Sequence, residues 1–181
     1  MAITVTQADL KAGATLLQVD LSQAGGAPLP ATGDRVHLVG DISGDTDTQA
    51  RIVRREERTS NLRRTADDTD PVERVIVSNA DQLAIVTATA NPEPRTGLID
   101  RALVAAIDAG ITPLLIITKT DLAPADELLA TYATWGHCYV VTDRTPSAEL
   151  IAALDGHVTV FLGHSGVGKS TLVNALVPGA D

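Results

Sequence analysis

The stretch G-H-S-G-V-G-K-S-T at residues 163–171 constrains the fold of this chain more than any other. It stands between the apolar run V-T-V-F-L-G (158–163) and the helix-periodic K-S-T-L-V-N-A-L-V (169–177). The pattern G-x-x-x-x-G-K-[ST] between a strand and a helix is a phosphate-binding loop. Such a loop turns its backbone N–H groups inward, and glycine permits the turns and the close approach this requires. Gly163, Gly166 and Gly168 supply those positions, and a helix starting at Lys169 adds its unpaired N–H groups and dipole. Gly163, His164, Ser165, Gly166, Val167, Gly168, Lys169, Ser170 and Thr171 are therefore the candidate phosphate cradle, His164 through its backbone alone. Lys169, reaching the β- and γ-phosphates, is the candidate catalytic group, and the Ser170 hydroxyl the candidate Mg²⁺ ligand.

A strand feeding such a loop belongs to a mostly parallel sheet, and the preceding residues supply its neighbours. L-A-I-V-T-A (83–88), P-L-L-I-I-T (113–118) and C-Y-V-V-T (138–142) read as strands. They alternate with helices over 97–110, over 123–136 (Pro124 in the first turn, Gly136 at the end) and over 147–154. Repeated β-α-β order with short connections implies a parallel sheet covered by helices. Upstream, R-V-H-L-V (35–39) and A-R-I-V-R (50–54) read as a small antiparallel β module, and T-A-D-D-T-D-P (65–71) as a polar linker. I-T-V-T and T-L-L-Q-V, within residues 1–32, are short strand candidates. The expected division is a β module over 1–70 and an α/β domain over 71–181.

The tetrapeptide T-K-T-D at 118–121 ends a strand, where ligands of parallel sheets bind. Guanine presents a ring N–H beside an exocyclic NH₂, and one carboxylate accepts both; Asp121 would supply it. Adenine leaves that carboxylate partly unpaired, which is costly in a desolvated site. Lys119 would lay its methylene stem over the purine face, Thr120 lies between them, and Thr118 would bond to the phosphate loop. Thr142 and Asp143 in V-T-D-R-T (141–145) follow the next strand and complete the candidate guanine site. The base-reading segments precede the phosphate loop, a circular permutation of the usual order. An ATP-dependent, kinase-like protein is the competing reading of the loop taken alone.

Cys138 is the only cysteine, which excludes an internal disulfide and a cysteine-rich zinc site within these residues. No apolar run approaches a membrane helix in length, and M-A-I-T-V-T-Q-A-D-L-K-A-G lacks the features of a secretory signal, so a cytoplasmic setting without membrane contact is expected. The net charge of −9 hides a local reversal: Arg51, Arg54, Arg55, Arg58, Arg63 and Arg64 fall within fourteen residues, opposed by Glu56 and Glu57. One face would thus be basic while the whole molecule is acidic. His37 and His157 read as structural.

Five stretches together resemble the ribosome small-subunit-dependent GTPase A family: G-D-R-V-H-L (33–38), E-R-T-S-N-L-R-R (57–64), V-I-V-S-N-A-D-Q-L-A-I-V (75–86), residues 98–122, and F-L-G-H-S-G-V-G-K-S-T-L-V-N-A-L-V-P-G-A (161–180). The resemblance implies a circularly permuted α/β P-loop GTPase domain preceded by a small all-β OB-like barrel. It implies Mg²⁺-dependent GTP hydrolysis in late maturation of the 30S subunit, contact of the barrel with 16S rRNA for which Arg51, Arg54, Arg55, Arg58, Arg63 and Arg64 are the candidates, and a monomer that binds GTP and GDP. The family pattern continues with switch threonines, a D-x-x-G strand and a Cys/His zinc subdomain, none of which occurs here. The expectation is a C-terminally incomplete domain with weak hydrolysis and no zinc site of its own, and the alternative a non-catalytic guanine-nucleotide-binding module.

Overall fold

The computed structural model describes residues 2–4, 19–20, 30–41, 50–67, 70–136, 139–143 and 145–177, with side chains for 30–41, 50–63, 75–136, 139–143 and 145–177. The chain divides into two units, Met1–Asn79 and Ala80–Asp181. His137, Cys138 and Arg144 lie outside the described residues, as do 5–18 and 21–29, on which closure of an N-terminal barrel would depend.

In the first unit, β1 (Ala2–Thr4), β2 (Val19–Asp20), β3 (Arg35–Gly40) and β4 (Ala50–Arg55) form a sheet of order β1-β3-β4-β2. β3 runs antiparallel to β1 and β4, with a register shift at His37/Leu38. β5 (Asn61–Asp67) and β6 (Asp70–Ser78) make an antiparallel hairpin. Of the residues expected as a linker over 65–71, 65–67 lie in β5 and 70–71 in β6. The expected division at residue 70 falls inside the hairpin, and the two units instead meet after Asn79. Strand pairing, which a single strand's composition does not reveal, overrides the turn-like residues.

The described apolar core of this unit is small, with Val36, Ala50 and Leu62 buried. Beside them Asp34 is fully buried. Its carboxylate accepts Arg58 Nε at 2.6 Å, Arg58 Nη2 at 2.7 Å and the Ala31 N–H at 2.8 Å. Arg55 Nη1 stands 3.9 Å away. Burial by itself raises the Asp34 pKa, but the bonds from Arg58 and the Ala31 N–H, with the charge of Arg58, outweigh it and hold the carboxyl below its ordinary value. The same bond raises the pKa of Arg58. Asn79, at φ +60°, closes the unit: its Nδ2 donates to Gly33 O at 2.8 Å and its Oδ1 accepts the Thr59 N–H at 2.8 Å. Gly33 has no room for a side chain, because a Cβ there would meet Ser78 O at 2.0 Å.

The second unit is the expected α/β layer structure. Parallel strands β7 (Gln82–Ala88), β8 (Thr112–Thr118), β9 (Tyr139–Val141) and β10 (Thr159–Leu162) lie in the order β10-β7-β8-β9. Every residue of β7 is buried, as suits a strand covered on both faces. α1 (Thr96–Asp108) covers one face with Ile99, Ala102, Leu103 and Ala106, spaced as one helical stripe. Side chains alternate across a strand, so Ala84, Val86 and Ala88 turn to the other face. There they pack with Leu114, Ile116 and Val140, with Leu150 of α3 (Ala148–Leu154) and with Leu172 of α4 (Lys169–Leu176). α2 is shorter than expected, Asp126–Tyr132 followed by a 3-10 turn at Ala133–Trp135. Pro124 precedes it instead of opening it, whereas Gly136 at φ +66° ends the segment as expected. Tyr132 of α2 donates to Asp100 of α1 at 2.9 Å; burial first, then Asp100, pushes the phenol up to about 12. No described helix is long and apolar enough to cross a membrane.

The Asp34–Arg58 pair yields the first test. Removing one partner of a buried ion pair costs about 3–5 kcal/mol, so Arg58→Ala should lower the urea midpoint at pH 7 by that equivalent. The folded-state pKa of Asp34 lies below its unfolded value. The pair's contribution is thus present above about pH 4 and lost as pH falls through the folded-state pKa. The gap between Arg58→Ala and the unaltered chain should therefore narrow on acidification.

Candidate functional site

The register of the parallel sheet brings the phosphate loop and the T-K-T-D segment together. β7 pairs with β10 from Gln82↔Thr159 and with β8 from Gln82↔Thr112, so the carboxyl ends of β8 and β10 flank that of β7. Gln82 anchors the opposite end: its Nε2 donates to Ala153 O at 2.9 Å, and its Oε1 accepts Thr159 Oγ1 at 2.8 Å.

Leaving β10, the chain passes so close to β7 that a Cβ on Gly163 would lie 2.3 Å from Val86 O. Gly166 and Gly168 take positive φ, +83° and +99°, and α4 begins directly after Gly168. Lys169 folds back over the loop, its Nζ donating to Gly163 O and His164 O, each at 2.8 Å. Val167 turns inward and is 3% exposed, which anchors the loop in the core while Ser165, Gly166 and Ser170 remain exposed.

Thr118 is buried at the end of β8. Its hydroxyl donates to Val167 O at 2.7 Å, with Thr87 O a second acceptor at 3.1 Å. This is the bond to the phosphate loop that the sequence suggested. Beyond it, Lys119 has φ +60° and the Leu122 N–H donates to Lys119 O at 2.9 Å, closing a turn with Thr120 and Asp121 at its centre. The Lys119 ammonium donates to Asn91 O. A cleft of about 380 Å³ is walled by Thr118, Lys119 and Leu122 on one side and by Gly166, Val167, Gly168, Thr171 and Leu172 on the other. Its volume falls in the range of small-ligand sites.

The third segment is more constrained than expected. The Thr142 N–H donates to Ile117 O at 2.9 Å and its hydroxyl to Thr145 O, so that side chain is engaged within its own loop. Asp143 Oδ1 accepts Thr145 Oγ1 at 3.0 Å. His157 is structural, as expected: its Nδ1 lies 3.0 Å from Asp81 Oδ1, which also accepts the Val158 N–H at 3.1 Å. That pair sits at the amino ends of β7 and β10, away from the phosphate loop. His37 Nε2 lies 3.0 Å from Glu56 Oε1 and 3.2 Å from Arg54 Nη2, donating to the first in one tautomer and accepting from the second in the other.

The arginines of the cluster differ in their surroundings. Arg58 is bound to Asp34, and Arg55, partly exposed, has its Nη1 3.9 Å from the same carboxylate. Arg51, Arg54 and Arg63 are exposed, and the side chain of Arg64 lies outside the described residues. Asp34, Asn79 and Thr89 were missed as organising residues. Asp34 and Asn79 each carry a faint signal, an acid following a turn glycine and an asparagine closing a strand, but Thr89 carries none.

The family described as RsgA GTPase matches residues 55–181. The small ribosomal subunit biogenesis GTPase RsgA of Azotobacter vinelandii is 45% identical over 166 residues, covering 86% of this chain and 46% of its own length. The protein of the same name from Pseudomonas aeruginosa strain LESB58 is 48% identical over 115 residues, covering 59% of this chain and 34% of its own length. Among solved structures, YjeQ from Thermotoga maritima aligns with a TM-score of 0.61 at 31% identity, over 83% of this chain and 52% of its own. YloQ, a circularly permuted GTPase, aligns with a TM-score of 0.61 at 29% identity, over 90% and 56%. The chain thus spans about half the length of the relatives it matches.

The loop's approach to β7 is directly testable. Gly163→Ala places a methyl against the Val86 carbonyl and should cost about 1–3 kcal/mol in denaturant unfolding. Gly97→Ala, in the first turn of α1 with the Arg101 guanidinium its nearest neighbour at 3.7 Å, should be neutral or stabilising by up to about 1 kcal/mol.

Proposed function

The chain belongs to the RsgA GTPase family, and from that premise we propose that it binds GTP and GDP and acts in maturation of the small ribosomal subunit. The carrying observation is the single cleft walled by both the phosphate loop and the T-K-T-D segment. The phosphates occupy the cradle of residues 163–171, where Lys169 exchanges the Gly163 and His164 carbonyls for phosphate oxygens and stabilises charge on the transferring group. Asp121 reads the guanine edge, Lys119 covers its face, and the Thr142–Asp143 segment closes the far side.

The donor set fits Mg²⁺, which in nucleotide sites takes one or two protein oxygens and completes its shell with phosphate and water. Ser170, exposed in the first turn of α4, is the residue to hold it. Held by Ser170, Mg²⁺ would supply positive charge against the phosphates of the nucleotide. Arg51, Arg54 and Arg63 are the arginines left to meet 16S rRNA, through phosphate contacts. The protein works as a cytoplasmic monomer on the 30S subunit.

Two measurements test this reading. In displacement of fluorescent GDP, GTP should compete and ATP should not, and Asp121→Asn should erode the preference about tenfold or more; equal competition by the two nucleotides in the unaltered chain overturns the guanine assignment. For the RNA face, Arg51→Ala combined with Arg54→Ala should weaken 30S binding and flatten its logarithmic salt dependence by roughly one unit per arginine. An unchanged slope removes them from the interface.

A further inference from the structure

We propose that Thr89 is a positioning residue for base recognition: its hydroxyl, acting through Lys119, aims the Asp121 carboxylate and so sets discrimination for guanine. The inference rests on the guanine-binding reading above. Thr89 is the first residue beyond β7 and is 7% exposed. Its N–H donates to Thr118 O at 3.0 Å and its Oγ1 to Lys119 O at 2.6 Å, so one residue holds two successive carbonyls of the base-reading segment.

Lys119 O is the acceptor that matters. It takes the Thr89 hydroxyl and also the Leu122 N–H at 2.9 Å, the bond that closes the turn carrying Asp121. Lys119 itself sits at φ +60°, a conformation a lysine adopts only when its surroundings hold it there. Those surroundings are the segment just after β7. Thr89 grips the backbone of Lys119, and Asn91 O accepts its ammonium. The same segment reaches the phosphate loop, where Pro92 Cδ would stand 3.7 Å from a Cβ on Gly166. A carboxylate that must accept a ring N–H and an exocyclic amine together tolerates little rotation, because hydrogen bonds weaken steeply off axis. Loosening the first carbonyl of the turn therefore degrades the second of those bonds before it degrades phosphate binding.

The test compares GDP with inosine diphosphate, which keeps the ring N–H and lacks the exocyclic amine. The unaltered chain should bind GDP more tightly. Thr89→Val, close in shape but without the donor, should lose roughly fivefold to tenfold in GDP affinity with little change for inosine diphosphate, collapsing the ratio. Thr89→Ser should restore it. Equal loss for both ligands, an unchanged ratio, or failure of serine to rescue overturns the positioning role. Should Thr89→Val not fold, Thr89→Cys, with its weak donor, gives the same readout, and a ratio equal to that of the unaltered chain overturns the role. Failure of the underlying guanine reading is separate: it shows as no preference for GDP over ADP in the unaltered chain.

Discussion

Everything at the candidate site depends on β7 being hydrogen-bonded along both edges and buried on both faces. That strand contributes few site side chains of its own. What it contributes is register: β8 runs beside it to Ala88 and β10 to Ile85, both parallel to it, and the two loops that leave them wall one cleft. The Thr118 hydroxyl then ties the loops together at 2.7 Å. A buried threonine so placed leaves little play between the segment that would read a base and the one that would hold its phosphates.

The same economy governs the first unit, where polar bonds supplement a small described apolar core. A buried carboxylate without partners would be destabilising. Two bonds from Arg58 and one from a backbone N–H turn Asp34 into a fixed point that ties the turn before β3 to the segment after β4. The motif N-A-D-Q resolves into two jobs divided at the unit boundary. Asn79 pins Gly33 and Thr59 in the first unit, while Asp81 and Gln82 secure the amino end of β10 in the second.

Legibility in the sequence followed the physics of burial. β7 and β8, covered on both faces, read as unbroken apolar runs, and the helical stripe of α1 was equally plain. The phosphate loop was legible because its constraint is local: glycines at fixed spacing, then a helix. The β5–β6 hairpin was not, since Thr65, Asp67 and Asp70 look like linker and become strand through pairing. Nor was the fate of Arg58, whose partner lies 24 residues away. Thr89 left no trace at all. Its role arises from two carbonyls on another strand's loop, and nothing in T-A-N-P names them.

Permutation changes how the site is assembled without changing its geometry. β7 and β8, the latter leading into the segment that would read a base, are neighbours in sequence, whereas β10 returns to the far edge of β7 only after β9 and α3 have been laid down. Joining the phosphate half to the base half is thus the long-range step, and it carries the larger loop-closure entropy. Among the described residues β10 is also an edge strand, its Thr159, Val160 and Phe161 only partly buried and Leu162 36% exposed. A ligand spanning both halves binds only where β10 is docked, so its binding free energy adds to the pairing of β10 with β7. This edge of the described sheet is in this way one that a bound nucleotide would reinforce.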